Sequence, residues 1–322
     1  MDRAELRSAV VPILVGVGLF AFPFVVKNPL GQNVAILALI FATAATGWTL
    51  LGGFAGQISF GHAMFFGLGA YATGYLFRAG VSPWFGMALG AALSALVGVL
   101  VGFPVFRLRS HYFSIATIAM QQVAYVIVTN APELGAATGL PLPLREASLA
   151  NLQFGIRDKT EYHLVALALF AVSVVVAWIF LRQPAGHYVR AVRDDEQAAR
   201  ALGVRARRYK LYAMALSAGM TAIAGGYYAM YAMFVDPTVV LGLGFSIVIA
   251  LAAVLGGATS LWGPLVGAST LILLQQVTRT LYSGAGTGLD FVVYGGLVVV
   301  IAIVEPRGLV GLVRRLHRTG GA

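Results

Sequence analysis

The chain has 322 residues, of which 59% are hydrophobic and 11% are charged, against about a quarter charged in soluble domains. It contains repeated apolar runs of about twenty residues, more than one soluble core can absorb, and such runs predict transmembrane helices. The runs are apolar on every side, which excludes the alternating pattern of a membrane β-barrel. We therefore predict an all-α, polytopic membrane bundle that forms one domain over residues 1–322.

The net charge is +10 and the chain contains no cysteine. In so hydrophobic a chain, the excess charge indicates loop arginines that determine membrane topology rather than a nucleic-acid partner. The lack of cysteine excludes disulfides, thiol catalysis and cysteine-ligated metals. The polar start precedes an apolar run to Val26 without a small-residue cleavage site, which favours an uncleaved first span over a signal peptide.

Ten candidate spans can be placed along the chain. They are approximately residues 9–26, 33–52, 57–78, 83–106, 111–130, 163–181, 211–234, 244–258, 264–282 and 290–304. With the N-terminus inside, the inside segments hold sixteen Lys and Arg residues and the outside segments hold six. This bias predicts that both termini are cytoplasmic.

The longest outside segment covers about residues 131–161 and contains proline, glycine and charged residues. Connections of this length are usually functional or flexible. Two interpretations stay open: a tether that crosses the surface, and a contact for a soluble partner on the outer face.

The sequence lacks the residues or motifs that several kinds of chemistry require. Only His62 is an ionisable residue placed well within a predicted span, which argues against a proton-coupled carrier. There is no GxxxxGK[ST] phosphate loop, no HExxH and no GxSxG, so ATP binding by that loop and hydrolytic catalysis lack their motifs. We expect no catalytic residue, cofactor or metal in this chain, and any ATPase would be another polypeptide.

A glycine-rich stretch runs from Gly52 to Tyr75. Each glycine costs about 1 kcal/mol relative to alanine inside a helix, so this composition predicts an irregular start to the third span. Gln57, Ser59 and His62 supply polar groups there. Non-helical backbone at membrane depth must be satisfied by protein or by a water-filled cavity. Either this segment is broken and lines a translocation path, or it is a close-packed helix whose His62 bonds a neighbouring carbonyl.

A second glycine-rich stretch, residues 255–268, precedes and enters the ninth span, where Pro264 suits the first helical turn. The two stretches fall at related positions along the chain. Spans 2–5 and 7–10 would run in opposite senses, so they would form an inverted repeat.

Four glutamines are the most polar residues in the middle of the predicted spans: Gln121, Gln122, Gln275 and Gln276. Such amides commonly join helices by hydrogen bonds within a membrane. The alternative is that they line a mildly polar conduit, which would suit a small neutral, zwitterionic or partly apolar solute better than an ion.

The most charged stretch, residues 182–210, lies between two long apolar segments. Asp194 as an N-cap, with Gln197 three residues later, is a close relative of the capping box. Glu196 then falls in the first turn, where a negative charge suits the helix dipole. The pattern predicts a short helix over 195–202.

The end of this predicted helix and its composition suggest a docking element. Gly203 is placed as the C′ residue that ends the helix. Ala198 and Ala199 are small enough to enter a cleft of a partner, whereas they make a poor face for insertion into lipid. The alternative is a basic surface helix that lies on anionic lipid.

Three stretches resemble the LivM-type permease subunits of branched-chain amino acid ABC importers. They are GGFAGQISFGHAMFFGLGAY at 52–71, RAVRDDEQAARALGVRARRYKL at 190–211 and AVLGGATSLWGPLVGA at 253–268. In ABC importers the second stretch corresponds to a coupling helix of the form EAA-x-x-x-G, seated in a groove of the ATPase. Gln197, Ala198, Ala199 and Gly203 fall on that form, with Gln197 in place of the glutamate and Glu196 one position earlier.

This resemblance implies a second homologous permease chain, two ATPase subunits and a soluble substrate-binding protein outside a bacterial inner membrane. It implies uptake of branched-chain amino acids through a path between the two permease chains. Two alternatives stay open: the same architecture with urea, short amides or aromatic acids as cargo, and an ATP-independent carrier or channel with a lipid-binding basic loop.

Overall fold

The computed structural model describes residues 15–108, 110–155, 158–281, 295–296 and 308–311. Its long helices correspond to predicted spans, and shorter helices lie between them. They are α1 (Val15–Val25), α2 (Pro29–Trp48), α3 (His62–Arg78), α4 (Pro83–Val105), α5 (Ser110–Thr129), α6 (Thr160–Arg182), α7 (Pro184–Asp194), α8 (Glu196–Ala201), α9 (Ala206–Ala232), α10 (Pro237–Val240), α11 (Leu243–Gly256) and α12 (Gly263–Leu281). The all-α membrane bundle predicted from composition is confirmed.

Four helical segments in the described part of the chain are long and apolar enough to cross a bilayer: Pro29–Phe54, Pro83–Val105, His111–Thr129 and Thr160–Arg182. The helix α11 has 14 residues, about 21 Å, which is shorter than a hydrocarbon core of about 30 Å. The predicted span 290–304 lies outside the described residues except for 295–296. The count of ten spans and the inverted repeat therefore stay predictions.

The centre of the bundle is α2, because 83% of its most apolar window is buried, against 22% for α5. The helix α9 packs against α2, α3 and α4. The exposed sides of α4, α5 and α6 carry large apolar residues, among them Leu100, Ile115 and Val172, as expected of helices that border lipid or another apolar chain.

Two glycines let α3 and α9 cross at backbone distance. A Cβ atom at Gly69 would lie 2.0 Å from the carbonyl oxygen of Ala222, and one at Gly225 would lie 1.9 Å from that of Phe66. Both obstacles are main-chain atoms of a packed helix, which cannot rotate away. The close approach of these helices therefore depends on the missing side chains.

The segment after α5 is folded onto the bundle. Its strand β1 (Leu140–Pro141) pairs antiparallel with β2 (Phe234–Val235), which follows α9. The buried side chain of Gln153 donates to the carbonyl of Pro143 at 2.9 Å and accepts from the N–H of Arg145 at 2.7 Å. The described part of this segment is thus a packed cover, and its contact with a soluble partner stays a prediction.

Candidate functional site

The first glycine-rich stretch is broken, as its composition predicted. After α2 the chain continues as a π-helix (Thr49–Phe54), and residues 55–61 are non-helical before α3 begins at His62. Side chains of neighbouring helices satisfy freed backbone groups. Ser114 donates to the carbonyl of Ile58 at 2.6 Å, and the N–H of Phe60 donates to the hydroxyl of Thr117 at 3.2 Å.

His62 braces this unwound segment against α9. The imidazole is fully buried, and its Nδ1 lies 3.2 Å from Oγ of Ser59 while its Nε2 lies 2.8 Å from Oγ of Ser217. The partners are two hydroxyls rather than the neighbouring carbonyl of the close-packed alternative. Because Ser59 is fully buried as well, neither side chain reaches a surface in this conformation.

We expect Ser217→Ala to lower the free energy of unfolding by about 1–3 kcal/mol, since it leaves one nitrogen of a buried imidazole without its partner. The measurement is thermal unfolding of the purified protein in detergent. The control is Ser173→Ala, because the hydroxyl of Ser173 is also buried but bonds only the carbonyl of Phe170 in its own helix. Equal effects of the two substitutions would contradict the bracing role, and so would a full effect of Ser217→Ala in a His62→Leu background.

The predicted polar residues of the path differ in their access to a surface. Gln121 is buried, and its amide nitrogen donates to the carbonyl of Leu241, which joins α5 to the turn before α11. This contact agrees with the helix-joining interpretation. The other amides reach a surface fully or in part: Gln57, Gln122, Gln275 and Gln276. Of the seven residues predicted to line the path, these four are accessible to a solute in this conformation.

The two glycine-rich stretches touch each other. A Cβ atom at Gly53 in the π-helix would lie 1.6 Å from the carbonyl oxygen of Ala258 in the turn between α11 and α12. Gly257 in that turn has a φ of +123°, which favours glycine. Pro264 is the second residue of α12, as its suitability for a first helical turn predicted.

The charged stretch 182–210 contains two helices before α9, and its cap differs from the sequence prediction. Asp195 is the N-cap of α8: its Oδ1 accepts from the N–H groups of Gln197 at 2.8 Å and Ala198 at 3.0 Å. Asp194, the predicted cap, is the last residue of α7. The correction arises because α7 runs on to Asp194, so the extended backbone that a cap needs comes one residue later.

The end of α8 agrees with the sequence prediction. Gly203 has a φ of +84°, and its N–H donates to the carbonyl of Arg200 at 2.9 Å, while the N–H of Val204 donates to that of Ala199 at 3.0 Å. This pair of bonds is the Schellman motif, which closes a helix at a left-handed C′ residue. The helix has six residues, about 9 Å, and is shorter than the predicted 195–202.

The surface of α8 has one feature that the sequence did not indicate. Ala199 is buried against Val192 and Ala206, so it packs within the chain and is not free to enter a partner. Ala198 and Leu202 are exposed, the latter at 85%. A single exposed leucine is ordinary on a protein surface, so the exposure of Leu202 shows only that this side chain is accessible.

Ion pairs tie α8 to the bundle. The carboxylate of Glu196 pairs with Nζ of Lys210 and with Nη2 of Arg200, each at 2.5 Å. Lys210 is buried at the start of α9. A buried ammonium needs such a partner, so Glu196 serves an internal pair here.

An apolar bundle of this kind, with a capped helix exposed between α6 and α9, is a polytopic helical membrane protein. The chain belongs to the family of branched-chain amino acid transport system permease components, whose model matches residues 31–302. It is 28% identical to the high-affinity branched-chain amino acid transport permease LivM of Escherichia coli K12, over 98% of this chain and 77% of that one.

Two further relatives are more distant. The high-affinity branched-chain amino acid transport permease LivH of Escherichia coli K12 is 24% identical over 87% of this chain and 94% of its own length. The autoinducer 2 import permease LsrC of Escherichia coli HS is 26% identical over 78% of this chain and 72% of its own length. No solved structure matches the chain.

Proposed function

We propose that this chain is one permease subunit of an ABC importer that carries leucine, isoleucine and valine inward across a bacterial inner membrane. A second homologous permease chain would complete the path, two ATPase subunits would hydrolyse ATP, and a soluble protein would deliver the solute at the outer face. The observation that carries the proposal is α8, a capped and exposed helix in a chain of the permease family. The pairing of a LivM and a LivH permease among the relatives supports the second chain.

The coupling step would take place at α8. Its exposed residues, among them Gln197, Ala198 and Leu202, would enter a groove of the ATPase, and Gly203 would end the helix at that surface. Asp194, Glu196 and Ala199 would contribute from within the chain by holding α8 in position. Both termini would then be cytoplasmic, and the cover at 131–161 would face the binding protein.

The cargo would be a small amphipathic solute. Amides and apolar groups, rather than buried charges, are available along the spans, so a path built from them would favour neutral or zwitterionic compounds. The alternative cargoes are urea, short amides and aromatic acids, and the similarity to an autoinducer 2 permease shows that related permeases are named for other solutes. ATP-independent carriage by this chain alone is the second candidate function.

The test is uptake of labelled leucine by the complex reconstituted in liposomes together with its binding protein. ATP is supplied or omitted on the side of the membrane that the ATPase subunits face. We expect uptake only with ATP, and competition by isoleucine and valine but not by urea, acetamide or benzoate. Competition by one of the latter would transfer the assignment to that cargo. Leucine uptake by this chain without ATPase subunits would contradict the ABC assignment.

A further inference from the structure

Arg193 connects the charged stretch to the unwound segment. It lies at the end of α7, and its Nη1 donates to the carbonyl of Gly53 in the π-helix at 3.2 Å. Its aliphatic part lies over Gly56, where a Cβ atom would come within 2.8 Å of Cγ of Arg193. Gly56 also has a φ of +68°, so both its conformation and this contact require glycine.

The guanidinium is held in orientation from its other side. Oδ1 of Asp194 accepts from Nε of Arg193 at 2.9 Å and from Nη2 at 2.7 Å. Both bonds end on one carboxylate oxygen, and together they restrict the orientation of the guanidinium. An N–H of Nη1 points to the carbonyl of Gly53 at the C-terminal end of the π-helix, where a positive charge is favourable.

The unwound segment is bonded onward to the helices that surround it. His62 joins it to Ser217 of α9, and the N–H of Ala63 donates to Oγ of Ser246 in α11 at 2.7 Å. Residues 55–61 lie outside regular helix, so their dihedral angles can change without opening a helical ladder. On the other side, Glu196 and Lys210 tie α8 to α9.

We propose that Arg193 is the positioning residue that makes α7, α8 and the unwound segment 55–61 move together. A displacement of α8 is then passed through Arg193 and Gly53 to the junction of α2 and α3, inside the bundle. This inference rests on the proposed function for the origin of the displacement. The link itself is a property of this chain and can be tested without transport.

The first test separates the link from transport. Because the chain has no cysteine, spin labels can be placed at Leu202 and Ile58 alone, both of which are exposed. We expect a narrow distance distribution in the otherwise unchanged chain and a broader one in Arg193→Met. The control is Arg182→Met, because Arg182 stacks on Trp178 of its own helix. An Arg193→Met distribution as narrow as that of the control would overturn the proposal.

The second test uses the whole complex. In Arg193→Met we expect ATPase subunits to co-purify and hydrolyse ATP as in the unchanged complex, while leucine taken up per ATP hydrolysed falls about tenfold or more. Arg193→Lys keeps the positive charge and should restore part of that ratio. An unchanged ratio in Arg193→Met would overturn the proposal. If the wild-type complex shows no ATP-dependent uptake, the proposed function is rejected. In that case the spin-label experiment alone decides whether Arg193 links α8 to the unwound segment.

A milder variant covers the case in which Arg193→Met does not fold. Asp194→Asn keeps the size of the side chain but weakens the contact that orients the guanidinium. We expect a distance distribution broader than that of wild type, with a loss of uptake per ATP smaller than tenfold. A distribution and a ratio equal to those of wild type would count against the link.

Discussion

Replacing Ala198 with arginine is expected to abolish ATP-dependent uptake while the protein still inserts and folds. Ala198 is exposed on α8, so the longer side chain meets no neighbour within the chain. In the proposed complex the same position enters a groove of the ATPase. There an unpaired buried charge costs several kcal/mol, which corresponds to a loss of docking of more than about 100-fold.

The measurements are leucine uptake and the amount of ATPase that co-purifies with the chain. Ala79→Arg is the matched control, because it places the same side chain on an exposed alanine in the turn between α3 and α4. We expect the control to retain both properties. Normal uptake in Ala198→Arg would show that α8 is not the coupling surface, even if the rest of the permease assignment held.

Replacing Gly225 with alanine is expected to cause a large loss of stability for the addition of a single methyl group. The added Cβ atom would lie 1.9 Å from the carbonyl oxygen of Phe66. Relief requires α3 and α9 to separate, which weakens a large apolar contact. Overpacking costs about 1–3 kcal/mol and occasionally more, and we expect this variant at or beyond the upper end.

The control for Gly225→Ala lies on the same helix. At Gly219 a Cβ atom would be 3.5 Å from the nearest atom, the carbonyl oxygen of Ala91, which is an ordinary contact. Alanine there should be neutral or should stabilise the helix by up to about 1 kcal/mol. Both variants can be compared by the temperature at which the monodisperse peak is lost in detergent. Equal shifts would contradict the backbone contact of α3 with α9.

Local features of the bundle could be predicted because their causes lie within a few residues. Runs of apolar residues determine where helices cross a bilayer. The glycines from Gly52 onward predicted a broken start to the third span, and Gly203 predicted the end of α8, since a left-handed residue has little choice beyond glycine. Pro264 likewise predicted the first turn of α12.

The cap of α8 shows where local reasoning stops. Asp194 and Asp195 both have the side chain that a cap needs, and neighbouring residues do not distinguish them. The choice depends on how far α7 extends, which is decided by the packing of Val189 and Val192 against other parts of the chain. The burial of Ala199 has the same origin, because Ala206 and Val192 close over it.

The sequence by itself determined that this is a helical membrane protein with glycine breaks and a short, glycine-terminated polar helix. The tertiary structure decided which distant residues contact the glycine breaks and the charged stretch. Arg193 reaches Gly53 across 140 positions, and His62 reaches Ser217 across 155. Helix formation and termination depend on residues within about one turn, whereas these bonds depend on how the long helices pack, and the packing is a property of the whole chain.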